Sequence, residues 1–197
     1  MDAIQALGVQ PLDVRQTPVD FLAADGHKWL LGPEGAGVFF LRTEHLERLR
    51  PLGVGWNSVK QAGEFGDHRF DLRDTAARYE GGSYNMPGIA ALGESLAMLG
   101  DYGPTLIAQR LDEVTTRLCD ELTSRGATIV SSREPQRRSG IVAFDGPTDE
   151  SPAEVQRRCR DRGVIVNQRG GHVRVSPHAY TNDEDIARLC AAVTADA

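Results

Sequence analysis

The sequence predicts an α/β chain in two parts, a partial mixed sheet with helices over residues 1–100 and a small α+β domain over residues 101–197. Two observations carry this. Apolar runs at 19–24 and 38–41 are separated by the polar turn Asp25-Gly26-His27-Lys28 and a glycine-spaced return, which reads as strand, turn, strand. Beyond residue 100, short β-type runs at 127–130, 140–144, 164–166 and 173–176 alternate with strong helix patterns.

In chain order, residues 1–9 open directly on apolar, helix-forming side chains. Asp2 and Gln5 stand three apart, so on a helical turn over 3–7 both face one way. Without further context Asp2 reads first as a helix cap, since an acid at a helix N-terminus favours the dipole. A lysine at the rim of a packed sheet, as Lys28 would be, is open to partial desolvation, which lowers its pKa and frees its amine. Most lysines in turns are solvated surface residues, so spacing alone leaves both readings open. Residues 43–50 read as a short amphipathic helix with an acid near its start and arginines near its end, stopped by Pro51. Residues 53–70 form a long glycine-containing loop with Trp56 and Phe65.

Tyr79-Glu-Gly-Gly-Ser83-Tyr-Asn-Met-Pro87 leads into a helix with Pro87 in its first turn and Ile89, Leu92, Leu96 and Leu99 as its buried stripe. The Ser83 hydroxyl, flanked by glycine before a helix, is a candidate phosphate ligand or simply part of a turn. Residues 102–125 read as a long helix buried through Leu106, Leu111, Val114, Leu118 and Leu122 and closed by Gly126. A helix over 151–162 has a complete set of signals: Ser151 as cap, Pro152, Glu154 and a terminal Gly163. The last helix starts at a second capping box, Thr181-Asn-Asp-Glu184, and runs through Ile186, Leu189 and Val193. Between them, Arg174 lies in a strand flanked by Val173 and Val175, opposite in direction to both. If buried it needs a partner, either an ion pair or a ligand.

Composition narrows the function classes. At 25% charged and 40% apolar residues the chain is an ordinary globular one, and its net charge of -6 gives no basic footprint for nucleic acid. Cys119, Cys159 and Cys190 are odd in number and far apart, which excludes a disulfide framework or a metal-ligand pattern and fits a reducing, cytoplasmic location. No apolar segment approaches the ~18 residues of a membrane span. No charged-then-apolar leader is present either, so neither a membrane nor a secretory signal is expected.

Asp25-Gly-His-Lys28-Trp-Leu-Leu-Gly-Pro-Glu-Gly-Ala-Gly37 resembles the lysine segment of the class V aminotransferases, the fold-type I group that includes cysteine desulfurases, selenocysteine lyases and isopenicillin N epimerase-like enzymes. The resemblance implies pyridoxal 5'-phosphate as cofactor, with Lys28 as the Schiff-base residue and general acid/base and His27 near the cofactor. Asp2-Ala-Ile-Gln5-Ala-Leu-Gly resembles the element in which Asp pairs with the pyridinium nitrogen and Gln contacts the ring hydroxyl. That carboxylate keeps the ring protonated as an electron sink. By the same resemblance Ser83 reaches the phosphate of a neighbouring subunit's cofactor, which implies a homodimer with its site at the interface. Arg174 then grips the α-carboxylate of an amino-acid substrate through a two-pronged guanidinium contact.

The resemblance runs through all 197 residues yet corresponds to about the second half of a family member. The first strands, the main phosphate loop and the group that stacks on the ring have no counterpart, and Asp25 stands where many relatives carry Ser. A carboxylate there repels a phosphate unless it is turned away or hydrogen-bonded elsewhere. Relatives carry Val before the Asp, and a GTG valine codon read as a start would be written Met1. The expectation is therefore a truncated or mis-started frame, or a gene fragment. The expected function is a pyridoxal-phosphate-dependent transformation of an amino acid by transamination, lyase or epimerase chemistry. The alternative is a non-catalytic fragment or interaction domain that keeps the fold without cofactor. Cysteine desulfuration is not expected, because the loop over 166–173 has no cysteine and Cys159 and Cys190 fall inside helices. An unpaired apolar sheet edge is expected in the first part, leaving residues 1–90 stable only in an oligomer or with the missing half, whereas residues 100–197 fold alone.

Overall fold

The computed structural model of the chain describes residues 1–194. It divides into two compact units, Met1–Pro104 and Thr105–Ala197.

The first unit is built on an antiparallel hairpin of β1 (Phe21–Asp25) and β2 (Gly37–Leu41), in register from Phe21↔Leu41 to Asp25↔Gly37. On the other side of β1, Asp2 makes a parallel bridge to Ala23, through Ala3 N–H to the Ala23 carbonyl (2.8 Å) and Ala23 N–H to the Met1 carbonyl (3.1 Å). That bridge adds a parallel contact to the antiparallel hairpin, so the partial sheet is mixed. Alternation along β1 turns Leu22 and Ala24 inward, where they meet Ala3 and Val19 in a small core. Residues 3–10 coil in helical turns, with Leu7 N–H bonded to the Ala3 carbonyl (2.8 Å) and Gln10 N–H to that of Ala6 (2.9 Å).

The helix expected over 43–50 is a single 3-10 turn, Thr43–His45, followed by further turns. Tertiary contacts override the periodicity here. His45 Nε2 lies 2.8 Å from Asp20 and its ring 5.2 Å from that of Phe21. The carbonyls of Leu46 and Leu49 accept from Arg78 and the Tyr79 hydroxyl, each at 2.9 Å, instead of from a continuing helix. Helix α1 (Met86–Tyr102) starts as expected, with Pro87 in its first turn and the Asn85 side chain accepting from Gly88 N–H at 3.1 Å. Only Leu92 and Leu99 of its expected stripe are buried; Ile89 and Leu96 are 47% and 37% exposed, because the apolar arc is wider than the surface that covers it.

The second unit packs α2 (Pro104–Ser124), α3 (Pro152–Asp161) and α4 (Asp183–Val193) with a four-stranded antiparallel sheet. Its strands β3 (Thr128–Ile129), β4 (Val142–Asp145), β5 (Asn167–Arg169) and β6 (His172–Val175) stand in the order β3-β4-β6-β5. Ile107 takes the buried place expected for Leu106, while Leu111, Val114, Leu118 and Leu122 are buried as expected. The strand expected over 164–166 lies instead at β5. Val166 is drawn into the core, and Gly170 and Gly171, at φ 60° and 86°, make a two-residue turn that pairs Arg169 with His172. The capping box of α3 is present, with Ser151 N–H donating to Glu154 at 2.8 Å and Gly163 at φ 72° after the helix. At α4 the box shifts by one residue to Asn182 and Asp185, with reciprocal bonds of 3.0 Å, because the Thr181 hydroxyl is taken by His178 N–H at 3.1 Å. Among the described residues no helix is long and apolar enough to cross a membrane.

Phe144 and Val142 at the sheet centre are fully buried, with Val155, Cys159, Val173 and Cys190 around them, and every member of this core cluster belongs to the second unit. Residues 105–197 made alone are expected to unfold cooperatively in urea, and Phe144→Ala to cost ~3–5 kcal/mol there. A broad, non-cooperative transition of that fragment would contradict the core described.

Candidate functional site

Between β1 and β2 the chain makes a compact turn whose shape is set by glycine. Gly26 N–H bonds to the Ala36 carbonyl and Gly32 N–H to that of Gly26, both at 2.8 Å, and Leu31 N–H closes on Lys28 at 3.0 Å. A Cβ on Gly32 would lie 2.6 Å from Leu92 Cδ1, and one on Gly26 would lie 2.8 Å from the Ala36 carbonyl and 2.9 Å from Leu92 Cδ1. Helix α1 therefore seats the turn directly on Leu92. Two side chains of the α1 region add hydrogen bonds: Ser95 to the Leu31 carbonyl (2.9 Å) and Asn85 to that of Gly35 (3.1 Å). Leu31 is held at φ 57°, a conformation that costs a non-glycine residue energy and persists because both its backbone polar groups are bonded.

Lys28 stands on this turn immediately before buried Trp29 and Leu30. Its side chain is exposed, so the partial desolvation expected from a position at the sheet rim is not supplied by residues 1–194. His27, also exposed, has its Nδ1 3.9 Å from the Asp25 carboxylate.

Asp2 and Gln5 are brought to the same hairpin. Asp2 Oδ1 accepts from Ile4 N–H at 3.1 Å, a local turn contact, and Oδ2 has no hydrogen bond among the described residues. Together with Ala23–Asp25, Gly37–Phe39 and Glu80 it lines an open cleft of about 400 Å³. Gln5 Oε1 accepts from Trp29 Nε1–H at 3.2 Å, which ties the opening turn to the residue after Lys28 and leaves the amide NH2 to donate elsewhere. That contact has no local signal in the sequence, since Gln5 and Trp29 lie 24 residues apart. Asn85 was missed too, although an Asn one residue before the helix start is a capping signal. Ser83 is exposed in the connection that ends at Asn85.

In the second unit Arg174 sits on β6 between Ala143 of β4 and Asn167 of β5, opposite in direction to buried Val173 and Val175. Its Nε is buried and has no hydrogen-bond partner. An orphaned buried donor costs ~1–3 kcal/mol, so the guanidinium is left with an unmet demand for an acceptor. On the same strand His172 Nδ1 lies 2.6 Å from Asp145, and beyond it the buried His178 ring stacks on Tyr180 at 4.7 Å. All three cysteines are buried, and burial pushes their thiols up from the usual range. Among the described residues one group of metal-type donors, Asp20, Glu44 and His45, lies within 4.8 Å, and its Asp20–His45 hydrogen bond holds the Asp20 carboxyl below its ordinary range.

Comparison with known proteins follows this geometry. The family described as aminotransferase class V matches residues 1–194. Isopenicillin N epimerase of Streptomyces clavuligerus is 33% identical over 205 residues, covering 99% of this chain and 52% of its own length. A probable cysteine desulfurase of Methanothermobacter thermautotrophicus is 30% identical, over 96% of this chain and 50% of its own. Among solved structures, a cystine C-S lyase in complex with its reaction product cysteine persulfide gives a TM-score of 0.86 at 23% identity, over 96% of this chain and 50% of that one. The apo cysteine desulfurase of Thermococcus onnurineus NA1 gives 0.85 at 24%, with the same coverage. The chain spans about half the length of these relatives, and at such identities the likeness to solved structures establishes the fold: α/β, a partial mixed sheet with helices followed by a small α+β part.

The close seat of the lysine turn is directly testable. Gly32→Ala puts a methyl against Leu92 and is expected to cost ~1–3 kcal/mol in urea denaturation. Leu92→Ala, introduced with it, should return part of that loss relative to the sum of the single changes. Strict additivity would show that the two side chains do not meet.

Proposed function

The chain belongs to the class V aminotransferase family, and from that premise we propose that it contributes to a pyridoxal 5'-phosphate-dependent transformation of an amino acid, within a homodimer. The observation that carries the reading is the gathering of three chemically distinct groups on one hairpin. Asp2 is paired beside β1, Gln5 is bonded to Trp29, and Lys28 precedes that same Trp29 on a turn pinned by glycine. When bound, the cofactor supplies an electron sink for charge developing at an amino acid's α-carbon.

The roles of this chain's residues follow from their chemistry. With the cofactor bound, the Oδ2 of Asp2 would be available to a protonated ring nitrogen and the Gln5 NH2 to the ring hydroxyl oxygen. Lys28 would offer the amine to hold the cofactor aldehyde and the Nζ to carry a proton. His27 stands next to it, and the exposed Ser83 hydroxyl serves the phosphate of a neighbouring subunit. Arg174, with its unpartnered buried Nε, binds the substrate carboxylate. A second reading, a non-catalytic chain that keeps the fold without cofactor, is favoured by one feature. Asp2, Asp25 and Glu80 make the cleft acidic, and Lys28 is exposed beside β1. Either way, affinity of the chain alone for a phosphorylated cofactor is expected to be weak.

Titration of the purified chain with pyridoxal phosphate separates the readings. A yellow absorption that disappears on borohydride treatment and is absent from Lys28→Ala supports the enzyme, whereas a chain that stays colourless at saturating cofactor supports the second reading. A further expectation concerns sulfur. Since every thiol is buried, sulfide release from cysteine should be absent and all three cysteines should react slowly with an aromatic disulfide at about pH 8 until the protein is unfolded. One fast-reacting thiol whose substitution abolishes sulfide release would reverse that conclusion.

A further inference from the structure

Ser83 lies in the turn Gly81-Gly82-Ser83-Tyr84, and the residues on either side of it are held by one side chain and its backbone. Asn57 N–H donates to the Gly81 carbonyl at 3.2 Å, and Asn57 Nδ2 donates to the Tyr84 hydroxyl. Between these anchors Gly82 has open space around its α-carbon and Ser83 is exposed. The two stretches approach so closely that a Cβ on Gly55 would lie 2.0 Å from the Gly81 carbonyl, and one on Gly81 2.6 Å from Gly55 N. Only glycine at both positions permits this contact.

Asn57 is itself fixed. It is 5% exposed, and Arg73 spans both of its oxygens, with Nε on the backbone carbonyl at 2.8 Å and Nη2 on Oδ1 at 2.9 Å. The fork decides which end of the amide faces which way: with Oδ1 taken by a guanidinium, the NH2 is turned to Tyr84. Arg73 is held in turn. Its N–H donates to Ser58 at 3.0 Å, and its carbonyl accepts from Nε of the buried Arg78 at 2.6 Å, whose Nη1 reaches the Leu46 carbonyl at 2.9 Å. A chain of hydrogen bonds therefore runs from the turn at 43–46 to the turn that carries Ser83.

We propose that Asn57, locked by Arg73, is the positioning residue for Ser83, holding the Gly81–Tyr84 turn so that the hydroxyl is presented to a phosphate. The proposal rests on the reading of Ser83 as a phosphate ligand given above. A glycine pair next to a ligand is otherwise the costliest place to order a chain, and ordering it beforehand removes that cost from binding.

Amide hydrogen exchange of the full chain tests the turn, and the affinity ratio of pyridoxal phosphate to unphosphorylated pyridoxal tests the hydroxyl. Asn57→Leu should speed exchange at the amides of residues 57 and 86, which are bonded to the Gly81 and Tyr84 carbonyls, by on the order of tenfold while leaving the β1–β2 hairpin unchanged. Asn57→Asp, which still accepts from Arg73 and from the Tyr84 hydroxyl, should restore near-native exchange; a generic packing role would not be rescued by a buried carboxylate. Asn57→Leu should lower the affinity ratio as far as Ser83→Ala does, with no further loss in the double variant. Unchanged exchange in Asn57→Leu, or failure of the Asp variant to restore it, overturns the proposal. If Ser83→Ala leaves the ratio unchanged while Asn57→Leu still loosens the turn, the phosphate reading of Ser83 fails and the positioning of the turn by Asn57 stands.

Discussion

The first unit depends on one steric fact: Leu92 of α1 occupies the space where Gly26 and Gly32 have no side chain. Because that contact is made at van der Waals distance, the turn between β1 and β2 cannot slide along the helix, and its position is fixed relative to the sheet that bears it. The hydrogen bonds from Ser95 and Asn85 then act on a turn already in place. Asp2 and Gln5 inherit the same reference frame, one through β1 and the other through Trp29. Three groups separated along the chain thus share a scaffold whose stiffness comes from the absence of two methyl groups.

What was legible in the sequence was local. Glycine spacing around Lys28, the box at Ser151 and Glu154, and the valines flanking Arg174 each encode their structure within a few residues, and each appears where periodicity and capping chemistry put it. What was illegible was competition from distant partners. Thr181 has the right chemistry for a cap and loses the role to Asn182 because His178 takes its hydroxyl. Residues 43–50 have helical periodicity and form only a short turn, since Asp20, Arg78 and Tyr79 claim their polar groups from elsewhere in the chain. For Lys28 the sequence pattern placed the residue on a turn between two strands but could not report its exposure, which depends on what packs above it. Asn57 and Arg73 gave no signal at all, because an Asn in a long loop has many uses and its partner lies far along the sequence.

The two units differ in how their apolar surface is disposed. In the second, α2, α3, α4 and the sheet enclose one contiguous core with Phe144 at its centre. In the first, Leu52, Phe65 and Phe70 are 102%, 84% and 69% exposed, and the inward side chains of β1 meet few neighbours. Side chains left in water gain nothing at ~25 cal/mol per Å² of burial, so beside its small core the first unit leans on polar contacts and glycine-permitted backbone approaches. The long chain of hydrogen bonds through Arg78, Arg73 and Asn57 belongs to that pattern.

A fixed backbone beneath a free side chain has a kinetic meaning. At Lys28 the carbonyl is bonded to Leu31 N–H and the next two residues are buried, so its α-carbon is a stationary pivot, while the four-carbon arm beyond it swings in solvent. An amine on such a pivot explores a thin shell of space rather than a volume. For any carbonyl compound held inside that shell, the encounter is governed by an effective concentration that depends on arm length and anchoring and not on how much amine is in solution.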